Sequence, residues 1–387
     1  MKKKSYNCLF TDICGNLKEK VVFSNNKEDL INSKIHFDGS SVLGFTATSN
    51  SDAVLIPDQN TITANKFIFC DVLHDCDTRT ALKIILKNAK LLGFDVKIGA
   101  EIEFYLFKKQ NGLANYSMRD NKNYLSCCSL RIHKFIKDVT YELEKSGITL
   151  ETIHHEVSNN QYEINFCFGD PIEVADKVML IKQKLKWLSE KNGNYVSFMP
   201  KPFSNSAGSG MHINISIFKD NKNIFDDNGK LSAIGQYFAN GVMNHIKAIT
   251  AFSCPTINSY KRLCAKAECP NKIFISSNDR TALIRLPDAK GNAKRIEVRS
   301  PDVSANPYLT FASLIAAGIN GIKNKETCKN ENEMLPKTLS DALNNLSIDK
   351  FIMSTFPTIS QKYIQIKQDE LDTFNLHITD FELEKYF

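Results

Sequence analysis

Gly99-Ala-Glu-Ile-Glu-Phe-Tyr-Leu-Phe107 is an apolar run interrupted by two acids, and the reading of those acids decides the fold. The run has the composition of a strand. Residues i and i+2 of a strand leave the same face, so the carboxylates of Glu101 and Glu103 project together. An acid in mid-strand ordinarily points to solvent. The pattern recurs, however, in Ile153-His-His-Glu-Val-Ser-Asn-Asn-Gln-Tyr-Glu-Ile-Asn-Phe166, where two strand-like pieces flank a polar turn and bring Glu156 and Glu163. His212 and Glu297 lie on further short apolar stretches, Glu297 two residues before Arg299. Five carboxylates carry a charge of about −5, close to the +4 of two divalent cations, and oxygen ligands with one imidazole suit Mg²⁺ or Mn²⁺. Ion binding is therefore the stronger reading.

The chain has 387 residues, 42% hydrophobic and 24% charged, as expected of a soluble protein with a large core and one or two domains. Its net charge of +6 comes from scattered lysines, with Lys2 to Lys4 the only tight basic run, which speaks against a nucleic-acid partner. No apolar run approaches the roughly 20 residues of a membrane span, and the basic N-terminus lacks the apolar stretch of a signal peptide. The expectation is a cytoplasmic protein with no membrane partner. Its 11 cysteines include no Cys-x-x-Cys pair, which fits reduced thiols in a cytosolic protein rather than a structural zinc site.

Residues 1–80 hold short β-branched and aromatic runs, Lys20 to Phe23 and Ala53 to Ile56 among them, between Asn, Ser, Asp and Gly clusters, and read as a small β-rich domain. Residues 81–387 read as a large α+β domain whose strands form the floor of a site. Helical periodicity follows Arg79 up to Gly93 and runs from Leu130 to Lys145 before Gly147; Ile172 to Leu188, Ala233 to Phe252 and Tyr308 to Ile322 are three further helices.

Ala207-Gly-Ser-Gly-Met-His-Ile-Asn-Ile-Ser216 joins a glycine turn, which lets a ligand approach the backbone, to an alternating strand that sets His212, Asn214 and Ser216 on one face. Arg280, Arg285, Arg295 and Arg299 fall within about twenty residues, interleaved with apolar side chains, and guanidinium groups grip phosphate and carboxylate. No Gly-x-x-x-x-Gly-Lys-Ser/Thr loop is present, so a nucleotide would be held by metals and arginines.

Several longer stretches carry a resemblance: His36-Phe-Asp-Gly-Ser-Ser-Val-Leu-Gly-Phe45, Ser51-Asp-Ala-Val-Leu-Ile-Pro-Asp58, the paired acids, His154-His-Glu-Val157, Met199-Pro-Lys-Pro202, Gly208-Ser-Gly-Met-His212, Asn258-Ser-Tyr-Lys-Arg-Leu263, Arg295-Ile-Glu-Val-Arg299 and Asn306-Pro-Tyr-Leu309. In this order they resemble glutamine synthetase of the bacterial type I class, and Phe374 to Phe387 resembles its closing helix. The resemblance implies a β-grasp-like small domain before an α+β catalytic domain with an antiparallel sheet as the floor of the site. It implies that Glu103, Glu156 and Glu163 hold one Mg²⁺ or Mn²⁺ ion and Glu101, His212 and Glu297 another. Glu151, Asn214, Ser216, Arg280, Arg285 and Arg295 match ATP-binding positions. Gly208, Arg262, Glu268, Arg280 and Arg299 match glutamate-binding positions. Asp38, Ser41, Tyr124 and Glu156 match the ammonium pocket, and Asp38, Glu268 and Arg280 the catalytic groups.

The activity so implied is ligation of ammonium to L-glutamate with ATP, through γ-glutamyl phosphate, in a homo-oligomer of two stacked hexameric rings whose sites lie between subunits. The chain departs from the family at Ile102, Ala207, Asn292 and Lys266-Ala267, where the family has proline, asparagine, a nucleotide-side lysine and Gly-Tyr/Phe. Glu326 to Lys350 has no tyrosine to accept an adenylyl group, and Ala47 replaces an arginine of feedback-inhibited members. A γ-glutamyl ligase for a polyamine or other amine is the alternative in the same fold, and a non-catalytic regulatory relative is a third; the intact ligand set speaks against the latter.

Overall fold

Asp52–Pro57 buries every second residue, Ala53, Leu55 and Pro57, as a strand with one face on a core does. It is the fourth strand of the first sheet. The strands β1 (Lys4–Thr11), β2 (Leu17–Ser24), β3 (Ile35–Asp38), β4 (Asp52–Pro57) and β5 (Phe67–Val72) pair in the order β2-β1-β5-β4-β3. β1 and β5 run parallel and the other neighbours antiparallel. This computed structural model describes residues 3–387 apart from 62, 64, 65, 111, 112, 117–119, 266 and 267, and apart from the side chain of Leu113.

Asp77 caps helix α1 (Thr78–Leu91) by accepting from the backbone N–H groups of Arg79 and Thr80, and Gly93 ends the turn beyond it at φ +79°. The second residue of α1, Arg79, ties the first sheet to the rest of the chain. Its guanidinium lies 3.0 Å from Asp58 and 2.6 Å from Asp71, and it meets Asp176 through two hydrogen bonds of 3.0 and 2.8 Å. Tyr308 donates to the same Asp176 at 2.6 Å. Arg79 and Asp176 are buried, so replacing Arg79 with methionine strands a carboxylate in the core. The expected loss is about 3–5 kcal/mol, read by denaturant unfolding. The deficit should shrink as pH falls and the orphaned acids protonate. Unchanged stability would show that the cluster contributes nothing.

The second sheet is built around one long strand, β6 (Asp95–Gln110). After it come α2 (Leu130–Glu144), β7 (Leu150–His155), β8 (Gln161–Phe166), α3 (Pro171–Lys191), β9 (Asn194–Ser197), β10 (Ile213–Lys219), α4 (Ala233–Ser253) and α5 (Ile257–Leu263). Then follow β11 (Lys272–Ser276), β12 (Ala282–Arg285), β13 (Ile296–Val298), α6 (Pro307–Asn324), α7 (Pro357–Asn375) and α8 (Asp380–Tyr386). The main path of the sheet is β11-β12-β13-β10-β6-β8-β7, with β9 paired to β6. Its pairings are antiparallel except β11 with β12, which is parallel.

Alternation along β6 divides its side chains. Phe104 and Leu106 join Ile132, Phe135, Val139 and Leu185 from α2 and α3 in an apolar core, while Glu101 and Glu103 face the opposite cleft. The α+β expectation holds, with local corrections. Pro171 is itself the first residue of its helix, capped by Asp170, because proline fits where no N–H is needed. The stretch from Phe374 is not one helix: α7 ends at Asn375, and α8 starts only at Asp380 behind the Thr379 cap.

Candidate active site

Strand register brings the acids together. Glu103 of β6 pairs with Glu163 of β8, which pairs in turn with His154 of β7, while Glu101 pairs with Asn165. On the other side, Asn214 of β10 stands between Gly99 of β6 and Glu297 of β13, and Glu297 faces Arg285. His212 Nδ1 lies 3.1 Å from Glu101 and 3.8 Å from Glu297, and its Nε2 lies 3.8 Å from Glu103. Glu101, Glu163 and His212 offer ligand atoms within 4.8 Å of one another, and His154, Glu156 and Glu163 form a second such group. Glu163 thus stands in both groups.

Like charges and burial strain this cluster. Burial, with Glu163 beside it, pushes the Glu103 carboxyl up to about 7 against the pull of His212. Burial also pushes Glu101 up, but the hydrogen bonds from His212 and Asn214 and the charges of His212 and Arg299 outweigh it and hold the group at about 2. Burial and Glu163 raise Glu156, while the hydrogen bond to Glu163 raises His154. Five carboxylates and an imidazole form a hard, oxygen-rich donor set whose close-packed like charges a divalent cation would relieve, so these residues fit Mg²⁺ or Mn²⁺.

Two clefts meet at the cluster. One, of about 310 Å³, is lined by the acids together with Tyr124, Ala207, Gly208, Arg262, Glu268, Cys269, Arg280, Arg285 and Arg299. The other, of about 360 Å³, is lined by Lys97, Gly99, Glu151, Phe168, Asn214, Ser216, Asn292 and Arg295. Glu101 lines both. Arg262 is buried with its guanidinium on the carbonyls of Ser300 and Arg299, at 2.7 and 3.2 Å. Its stem passes under the glycine turn so closely that a Cβ on Gly208 would sit 2.5 Å from Arg262 Cγ and 2.7 Å from the Pro200 carbonyl. Gln161 donates to both the Gly208 carbonyl (3.0 Å) and Glu103 (3.3 Å), tying the turn to the acids.

The family model described as the catalytic domain of glutamine synthetase matches residues 75–386, and the one described as its beta-Grasp domain matches residues 2–75. The chain belongs to the glutamine synthetase family. Glutamine synthetase of Methanosarcina mazei is 36% identical over 415 residues, covering 97% of this chain and 93% of that one. That of Pyrococcus horikoshii is 36% identical over 419 residues, covering 98% and 94%. Among solved structures, Plasmodium falciparum glutamine synthetase superposes with a TM-score of 0.90 at 26% identity, covering 99% and 96% of the two chains. A structure titled "Apo GmaS without ligand" does so with a TM-score of 0.89 at 28% identity and the same coverage.

Several residues matched to glutamine synthetase motifs lie elsewhere than a single cleft. Arg285 lines the acid cleft rather than the one holding Asn214 and Ser216, and donates to Glu297 at 2.9 Å, while Arg299 donates to the other Glu297 oxygen at 2.6 Å. Glu268 and Arg280 are exposed, 3.6 Å apart; the neighbouring Lys266 and Ala267 lie outside the described residues. Tyr124 packs edge-on against His154 at 5.6 Å, on a loop anchored by the Asp120–His155 pair at 2.8 Å. Asp38 and Ser41 are hydrogen-bonded to each other at 2.6 Å. Neither Asp38 nor Ser41 lines either of these two clefts. His154, Gln161, Lys97 and Phe168 were not singled out from sequence; the strand period that marks Glu163 gives no sign of which residues stand opposite it.

Proposed function

We propose that this chain ligates ammonium to L-glutamate at the expense of ATP, giving L-glutamine, ADP and phosphate through γ-glutamyl phosphate. The observation that carries the reading is Glu101, shared by a cleft with nucleotide-type lining and a cleft rich in acids and arginines. Two divalent cations, held by Glu103, Glu156 and Glu163 and by Glu101, His212 and Glu297, would when bound neutralise the phosphates of ATP. ATP lies along Glu151, Asn214, Ser216 and Arg295, with Arg280 and Arg285 toward its terminal phosphate. Arg299, Arg262 and the backbone at Gly208 orient glutamate. The γ-carboxylate oxygen attacks the terminal phosphorus and ADP leaves; Arg280, Arg285 and Arg299 stabilise the charge on the moving phosphoryl group.

Asp38, Ser41, Tyr124 and Glu156 form the ammonium pocket. The hydrogen bonds from Ser40 and Ser41 hold the Asp38 carboxyl below the usual carboxylate range, so it stays ionised and attracts a cation; it takes the first ammonium proton as the nitrogen moves onto the acyl carbon. Phosphate then departs with the C–O bond, and Glu268 receives the second proton. The exposure of Asp38 and its absence from the two clefts at the acid cluster support a site completed by a neighbouring subunit, in a dodecamer of two stacked hexamers. With this reading the chain divides near residue 80, one part carrying Asp38 and the other the ligands.

Asp38→Ala tests the step assigned to ammonium. Glutamine formation should fall far more than formation of γ-glutamyl phosphate, followed as 5-oxoproline after cyclisation. Equal loss of both would remove Asp38 from proton transfer. Gly208→Ala should raise the KM for glutamate by roughly 10- to 100-fold, since the new methyl displaces Arg262 or the Pro200 carbonyl. An unchanged glutamate KM would separate the turn from the substrate. A second reading, ligation of a larger amine, draws on the open amine end of the cleft, where Tyr124 is 47% and Val157 51% exposed. Turnover with methylamine and putrescine beside ammonium separates the two.

A further inference from the structure

Gly99 leaves a gap in the cleft-facing row of β6, and the next residue of that row toward the N-terminus is Lys97. Reading backward, the row is Glu103, Glu101, Gly99, Lys97: two carboxylates, a space, then an ammonium. Lys97 pairs in register with Ser216, on the strand whose Asn214 donates to Glu101 at 3.0 Å. The other cation of this cleft is already engaged: Arg295 donates to Asn214 at 2.9 Å and to the Ala293 carbonyl at 3.2 Å. Lys97 has no ion pair among the described residues, although Glu151 lines the same cleft. Asn292 on that lining is neutral.

We infer that Lys97 is a nucleotide-binding residue that donates from its ammonium to the nucleoside end of ATP, with Glu151 as a complementary acceptor. The inference rests on the proposed use of this cleft for ATP. Lys97 lies four residues from Glu101, about 13 Å along the strand at about 3.3 Å per residue. Phosphates held by divalent cations on the acid cluster would therefore run over Gly99, and the ribose and base would reach Lys97. A Cβ on Gly99 would come within 3.3 Å of Phe168 and 3.6 Å of Asn214, so the gap keeps the floor low between the two charged ends. Phe168, 60% exposed, offers its ring to a base beside them. A hydrogen bond from a charged donor to a ligand in such a cleft is worth a factor of about ten or more in affinity.

The test is calorimetric titration of the intact protein with ADP and with adenosine, in Mg²⁺, for wild type, Lys97→Met, Lys97→Arg and Arg295→Ala. Methionine keeps the length of the side chain and removes its charge. Lys97→Met should weaken ADP and adenosine alike by about tenfold, Lys97→Arg should recover most of the loss, and the KM for ATP should follow while that for glutamate holds. If Arg295→Ala weakens ADP and Lys97→Met does not, Lys97 has no such role and the nucleotide cleft stands. If neither substitution weakens ADP, the cleft is not the nucleotide site. Weakened ADP with unchanged adenosine would move the contact to the phosphates and overturn the nucleoside assignment.

Discussion

Glu103→Gln is expected to lower glutamine formation by at least about 10²- to 10³-fold at limiting Mg²⁺ while leaving the fold intact. Its carboxylate sits opposite Glu163 in the strand register, accepts from the Gly210 N–H at 2.8 Å, and is one of the buried acids facing His212. Glutamine keeps the volume and one acceptor oxygen but removes the negative charge that a cation needs. Burial already raises this acid to about 7, so a neutral amide costs the apo fold little, and thermal unfolding should be unchanged or slightly higher. Isothermal titration with Mn²⁺ should show weaker uptake in parallel. Near-normal turnover at limiting Mg²⁺ would contradict the assignment of Glu103 to an ion.

Mixing subunits should have an equally large effect, in the opposite direction. Asp38→Ala and Glu297→Ala proteins should each be nearly inactive, yet rings reassembled from both should regain activity. Some interfaces then join an intact Asp38 from one chain to an intact ligand set from another. With equal mixing, about a quarter of the sites combine two intact halves, which sets the expected ceiling. No recovery in rings shown to contain both subunits would put Asp38 in its own chain's site or outside catalysis.

Local rules made part of this legible in the sequence. The two-residue period places Glu101 and Glu103 on one face, and capping chemistry ends α1 near Gly93. What joins Glu103 to Glu163 and His154 is register between strands about sixty residues apart, which no local pattern encodes. Acids on short apolar stretches make Glu156, Glu163 and Glu297 legible as candidate ligands, but nothing local shows that Glu163 lies near both groups or that Arg285 and Arg299 hold Glu297. The break at Leu376 to Ile378 was missed because the apolar residues around it are exposed and carry no packing pattern. Lys97 was passed over for the reverse reason: a lysine in a strand reads as surface, and only the cleft makes it a candidate.

The most direct measurement is product analysis of the wild-type assembly given ATP, L-glutamate and Mg²⁺ with ammonium, methylamine or putrescine in turn. The proposed function predicts one glutamine for each phosphate released with ammonium, and much slower turnover with either amine. No glutamine from ammonium, alongside brisk phosphate release with methylamine or putrescine, would contradict it.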